Sequence, residues 1–347
     1  MERYITSDKI FFHLERLLKW RMKEEVFPVT VEIHPTNRCN NKCEYCQYEK
    51  DDSTLSPGQF SEIVEKLKRI DVKGIILSGG GEPTLNRHTP WFLEILHEKK
   101  IHSAVITNLN LFSDNLYESI LRCADWVRVS MDTVDRNRYR ELRGVNNLDE
   151  VLKNIRSIVK MKHALESSTT IGAQIVVTNR NIADILPVSQ MASRLGVDYV
   201  QIRPVEVLPK GPLPYSSDEF DRIEEEIRKA RELEAPSLTV IRSDKWDLIH
   251  PGNGEREHGF SFCHGYPFIG AVTATGDYYI CCHKVERKDH RFFCGNLVTD
   301  SVESVMKNRA RAIKSLDLDD CYLGCRGSNI NRKLQGLLAR KEHKDFL

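Results

Sequence analysis

The chain has 347 residues, and 51 Lys and Arg against 50 Asp and Glu leave a formal net charge of +1. That balance argues against a protein that relies on bulk charge to hold nucleic acid or an anionic membrane, and the length suits one large domain or two moderate ones. No basic start followed by an apolar run reads as a signal peptide, and no stretch nears the ~18 apolar residues of a membrane span. A cytoplasmic protein with no membrane and no nucleic-acid partner is expected. Ten cysteines are many for such a chain. Disulfide frameworks belong to small cysteine-dense chains, so metal or cluster ligation in a reducing compartment is the better expectation.

In chain order, Ile10, Phe11, Leu14, Leu17, Leu18 and Met22 recur near helical spacing and predict an amphipathic helix over 7–24, packed on its own domain and ended by Pro28. Residues 29–33 alternate as a strand. Ser56-Pro57-Gly58-Gln59 reads as an N-cap with Pro at N1 and a capping-box Gln. Phe60, Ile63, Val64, Leu67 and Ile70 then form one apolar helical face. Short apolar strands follow at 74–77, 102–106, 126–129, 171–177 and 199–202, with helices between them, the last stopped by Gly196. A breaker-rich connector carries Pro209, Gly211, Pro212 and Pro214. Next comes a helix over 217–233 with Phe220, Ile223 and Ile227 facing inward. Residues 269–274 and 278–280 flank Thr275-Gly276-Asp277 as a β-hairpin, and Asp300-x-x-Glu303 reads as a helix cap. Six strands alternating with helices predict a parallel sheet covered by helices. Periodicity leaves an open doubly wound sheet and a partial barrel equally open. Both place ligands at the carboxyl ends of the strands.

The chemistry concentrates just after the first strand, in Cys39-Asn-Asn-Lys-Cys43-Glu-Tyr45-Cys46. Three thiolates so close can converge on a zinc ion, which wants about four protein ligands, or on a [4Fe–4S] cube, which wants four cysteines. In the second case one iron is left without a protein ligand. About one βα unit later, Ser78-Gly79-Gly80-Gly81-Glu82-Pro83-Thr84 closes the second strand. Glycines there let backbone approach a ligand, and Glu82 can accept from an amine. The C-x3-C-x-aromatic-C loop and the Gly-Gly-Glu-Pro run together resemble the radical S-adenosylmethionine (SAM) superfamily. The resemblance implies an α/β fold with a partial (β/α)6 TIM-type barrel. It also implies a [4Fe–4S] cluster on Cys39, Cys43 and Cys46 with Tyr45 as the aromatic, and SAM bound through Gly80, Gly81 and Glu82. Asn108, Ser130 and Arg143, which follow strands three and four, are the further SAM candidates. Reductive cleavage of SAM would give a 5′-deoxyadenosyl radical that abstracts hydrogen from the substrate, with a reductant such as flavodoxin or ferredoxin as partner.

The C-terminal third carries Cys263-x12-Gly276-x4-Cys281 and later Cys321-Tyr-Leu-Gly-Cys325. Four thiolates from two elements fit a fully ligated cluster or a four-thiolate zinc site. This layout is similar to the SPASM/twitch subgroup of the same superfamily, and implies one auxiliary [4Fe–4S] cluster on Cys263, Cys281, Cys321 and Cys325. The closing pair is C-x3-C where the subgroup more commonly has C-x2-C. Cys123 and Cys294 are expected as small buried hydrophobes. Cys282 is a candidate hydrogen-atom donor to a substrate radical, as an epimerase requires. The expected organisation is an N-terminal helix (1–28), a radical SAM core (29–235) and an auxiliary-cluster domain (236–347). The expected activity is oxidation of a small polar substrate, a sugar or aminocyclitol. The alternatives are a peptide maturase or epimerase and, from another class, a non-catalytic iron–sulfur or zinc protein.

Overall fold

The computed structural model describes residues 7–251, 258–286 and 289–338. A short 3-10 turn leads into α1 (Leu14–Arg21). The repeating units are then β1 (Thr30–Ile33), α2 (Pro57–Arg69), β2 (Gly74–Leu77), α3 (Thr89–Glu98), β3 (His102–Thr107), α4 (Asp114–Cys123) and β4 (Trp126–Ser130). They continue as α5 (Arg136–Arg143), α6 (Leu148–Ala164), β5 (Thr170–Val177), α7 (Ile185–Leu195), β6 (Tyr199–Pro204), α8 (Ser217–Arg231) and β7 (Thr239–Arg242). The C-terminal region adds β8 (Ile269–Val272), β9 (Asp277–Tyr279), α9 (Cys282–Glu286), β10 (Phe293–Asn296), α10 (Val302–Ala312) and α11 (Arg326–Leu338).

The strands form one sheet in the order β10-β9-β8-β1-β2-β3-β4-β5-β6-β7. Pairings from β8 through β1 to β7 are parallel, and β9 and β10 finish the sheet as an antiparallel meander. Side chains from β1, β3 to β8 and the loop after β2 line one cavity, so the sheet curls around it. Strand alternation sorts the residues. On β1, Val31 and Ile33 are fully buried in the core, while Thr30 and Glu32 line the cavity. The helices close the convex side. The Phe60 and Phe92 rings of α2 and α3 stack at 4.0 Å and 8°, and the α8 residues Phe220, Ile223 and Ile227 face inward as their spacing requires. This is the partial barrel that the family resemblance implied, and that the βα alternation alone left undecided.

Local signals set several boundaries. Ser56 caps α2 through a complete capping box, its hydroxyl accepting from the Gln59 N–H at 3.3 Å while Gln59 Oε1 accepts from the Ser56 N–H at 2.9 Å. Gly196 ends α7 in the left-handed region at φ 76°. Three expectations need correction. The predicted 7–24 helix is a 3-10 turn at Ser7–Phe12 followed by the short α1. Only Ile10 and Leu17 of its apolar stripe are buried, and Phe12, Leu14, Leu18 and Met22 remain exposed. The cause is Arg16, which turns inward to donate to the carbonyls of Phe27 at 2.7 Å and Asp71, and so sets which face of α1 packs. The cap of α10 is Ser301, whose hydroxyl accepts from the Ser304 N–H at 3.2 Å. Asp300 instead accepts from the Asn296 N–H at 2.8 Å. Finally, β7 is a seventh strand beyond the predicted six, revealed by its pairing with β6.

Candidate active site

The loop from Cys39 to Cys46 lies at the carboxyl end of β1, against the end of α5. Backbone bonds fix it there: Lys42 N–H donates to Arg143 O at 2.9 Å, and Glu44 N–H to Leu142 O at 3.1 Å. Gly144, left-handed at φ 68°, is where the two chains meet, since a Cβ there would come within 2.7 Å of Lys42 O. All three thiols line the cavity. Cys39 Sγ accepts from the Asn41 N–H at 3.5 Å, and Cys43 Sγ lies 3.8 Å from the Arg143 guanidinium. Donors of this kind suit a thiolate or a cluster sulfur. Asp132 anchors the assembly. It is fully buried, accepts the Tyr45 hydroxyl proton, pairs with Arg143 at 2.6 Å and takes the Val176 N–H at 2.9 Å. Burial raises the Tyr45 pKa well above its ordinary value, so this hydroxyl is a donor.

The glycine run after β2 passes directly beneath the cysteine loop. Glu82 N–H donates to Arg38 O at 2.8 Å. A Cβ on Gly81 would fall 2.0 Å from that same carbonyl oxygen. Glu82 is buried, and its carboxylate accepts from Thr84 N–H at 3.2 Å, Thr84 Oγ1 at 2.7 Å, Thr107 Oγ1 at 2.6 Å and Asn108 N–H at 2.7 Å. Burial still holds its pKa above the usual carboxylate range. Three of these bonds fall on Oε1 and one on Oε2, leaving acceptor capacity toward the cavity. Of the sequence candidates, Tyr45, Gly81, Glu82, Asn108, Ser130, Arg143 and Cys282 line this cavity of about 1430 Å³. Gly80 is not on the lining; its carbonyl accepts from Lys50 Nζ at 2.6 Å.

The second thiol group sits behind the cavity wall. The Cys281 thiol is pushed well up by burial, and next by the neighbouring thiols of Cys282, Cys325, Cys321 and Cys263. A Cβ on Gly327 would lie 3.6 Å from both Cys263 Sγ and Cys325 Sγ. Polar donors converge on these sulfurs. Asn331 Nδ2 reaches Cys263 at 3.4 Å, and the Ser328 N–H at the start of α11 reaches Cys325 at 3.3 Å. Among the described residues no three His, Cys, Asp or Glu side chains close around a single ion. The thiol-only donor sets, with N–H groups aimed at their sulfurs, have the chemistry of cluster ligands. Cys282 lines the cavity. Cys294 is core, its thiol donating to Phe292 O at 3.4 Å, and Cys123 is half-buried against the core.

A curled parallel α/β sheet with a three-thiol loop at the carboxyl end of its first strand defines a cluster-binding half-barrel. The Radical SAM superfamily model matches residues 33–186, and this stretch is similar to the domain of that superfamily, whose cofactors are a [4Fe–4S] cluster and SAM. A probable GTP 3′,8-cyclase of Pyrococcus abyssi is 27% identical over 223 residues, spanning 59% of this chain and 69% of the relative. Its Pyrococcus horikoshii counterpart is 33% identical over 144 residues, spanning 39% of this chain and 44% of the relative. The chain thus matches only part of these relatives. Among solved structures, Streptococcus suis SuiB bound to its precursor peptide SuiA superimposes with a TM-score of 0.67 at 17% identity, over 89% of this chain and 71% of that one. The enzyme anSMEcpe with bound AdoMet and a peptide gives 0.61 at 15% identity, over 89% and 95%. These likenesses show a shared fold.

Sequence reading missed the polar floor of the cavity, made by Glu32, Arg128, Gln174, Gln201, Arg203, Glu206, Lys245 and Arg326. Part of it was within reach. Arg128 is two residues before Ser130 on the same strand face, and Arg326 directly follows Cys325. His34 is a packing neighbour, 3.4 Å from Glu32 and edge-on to Tyr48 at 5.4 Å. His283 lines the cavity, whereas His264 packs against Trp20.

Proposed function

We propose that the chain is a radical SAM oxidoreductase acting on a small polar substrate such as a sugar or aminocyclitol. In this reading Cys39, Cys43 and Cys46 hold the SAM-binding cluster, and Cys263, Cys281, Cys321 and Cys325 hold one auxiliary cluster. The observation that carries it is a single cavity lined by the three thiols of the Cys39–Cys46 loop, by Cys282 and by charged and amide side chains. Its ~1430 Å³ is larger than the roughly 300–1,000 Å³ of a one-ligand site, enough for SAM and a second small molecule together. When bound, the first cluster supplies the electron that cleaves SAM to methionine and the hydrogen-abstracting deoxyadenosyl radical.

The protein's own residues then have distinct tasks. Gly81 and Glu82 bring backbone and carboxylate to the amine of SAM, while Asn108 and Ser130 border the same space. Asp132 holds Tyr45 and Arg143 in place behind the cysteine loop. The four auxiliary thiols next to Cys282 offer an electron sink beside the substrate end, which supports net two-electron oxidation. The GTP named for the curated relatives is likewise a small polar molecule. A peptide substrate is the second reading, favoured by the peptide-bound neighbours with this fold; Cys282 would then be placed to return a hydrogen atom. Anaerobically reconstituted protein given dithionite and SAM should release deoxyadenosine and methionine. Absence of both would overturn the proposal. Solvent deuterium in product would select epimerisation over oxidation.

A further inference from the structure

The floor of the cavity carries more positive charge than its own carboxylates balance. Arg203 and Lys245 share one carboxylate, Glu206, with Lys245 Nζ at 2.9 Å from it. Glu32 faces Arg326 at 3.5 Å and His34 at 3.4 Å. Arg128 has no carboxylate partner among the described residues. Its Nη1 donates to Gln201 Oε1 at 3.1 Å, its cation lies 5.5 Å from the Trp126 ring, and its buried Nε has no hydrogen-bond partner. An amide and an aromatic face do not neutralise a guanidinium, and an unpaired charge held partly out of water is costly. Burial lowers the Arg128 pKa, as do the nearby Arg203 and Arg326 charges, while Tyr199 and Glu32 push it up, and the guanidinium stays protonated.

We propose that Arg128 is the anchor for an oxyanion, a carboxylate or phosphate group, on the small molecule that occupies the substrate end of this cavity. Calling that molecule the substrate rests on the radical reading above; the binding site itself does not. The SAM carboxylate is not the intended partner. Arg143, beside the cysteine loop, has the geometry for that end and is already matched by Asp132. Arg128 lies two residues deeper along β4 than Ser130, about 7 Å at strand spacing. Arg128 lines the cavity, and a guanidinium there suits a carboxylate or phosphate oxygen, where a neutral hydroxyl would leave the charge uncompensated.

The test uses the reconstituted full-length protein with SAM present, at constant ionic strength. Inorganic phosphate and acetate are titrated as probes, and the thermal midpoint is followed for the wild type and for Arg128→Gln. One or both anions should raise the wild-type midpoint with saturation, and Arg128→Gln should weaken that response by about tenfold, the loss expected for a charge-assisted bond. The anion that responds tells a phosphorylated from a carboxylated substrate. A flat response to both anions, or an equal response in Arg128→Gln, overturns the inference. Deoxyadenosine release by the wild type is measured alongside. Its absence with anion binding intact would remove the radical reading and leave the oxyanion site standing.

Discussion

Asp132 holds more of the site together than any residue the motifs named. It joins Tyr45 of the cysteine loop, Arg143 of α5 and the backbone of β5 at one fully buried carboxylate. Removing one member of a buried pair leaves an unmatched charge, at a cost of about 3–5 kcal/mol. Asp132→Asn should therefore lower the unfolding midpoint, and iron at the first loop should fall while Cys263–Cys325 iron is retained. An unchanged iron content would show that Asp132 does not position the loop. Glu32 makes a pH prediction. Burial alone would raise its carboxyl, but the His34 contact and the Arg326 charge outweigh burial and hold it at about 2. A carboxyl depressed on folding stabilises above its unfolded pKa and loses that contribution as pH falls toward the folded value. The shift from 4.5 to about 2 corresponds to roughly 3 kcal/mol. Glu32→Gln should flatten the loss of stability between about pH 4.5 and 2, followed by urea unfolding across that range. At this scale the cysteines and Glu82 were legible because ligand spacing is local in sequence. Asp132 and Arg128 were not singled out, because their partners come from other strands.

Glycines set the spacing between elements. Gly265, beside Cys263, packs so closely on the start of α11 that a Cβ would lie 2.7 Å from Gly327 O. That contact brings Cys263 next to Cys325. Gly265→Ala should displace one from the other and reduce iron at the auxiliary thiols, with the first loop still loaded, as read by iron analysis against a Cys39→Ala control. The same logic at Gly81 predicts that Gly81→Ala disrupts the loop after β2, since the clash is with backbone that cannot rotate away. Most helices and the first six strands were readable from apolar period and caps. The N-terminal segment failed because its periodic apolar residues competed with Arg16, whose backbone partners lie far along the chain. β7, no shorter than β1 or β2, was missed because its place is set by pairing with β6.

For the molecule as a whole, the two thiol sets predict about eight irons per chain when both are filled with four-iron cubes. Cys325→Ala should reduce this toward about four while deoxyadenosine formation without substrate persists. Full iron retention in that variant would refute the auxiliary assignment. The partial barrel followed from the alternation of elements and the family likeness, but its closure on the β8 side did not. No local signal marks which strand will lie beside β1.

That pairing governs how the chain is made. The strand β1, earliest in this sheet, is flanked on one side by β2 and on the other by a segment synthesised about 240 residues later. Until then its outer edge offers unpaired amides and carbonyls to any passing β-segment. The nascent protein should thus be most prone to aggregate just before residue 269 emerges. Stopping synthesis at residue 235 should give insoluble product, and soluble, cooperatively unfolding protein from that truncation would show that the late strand is dispensable.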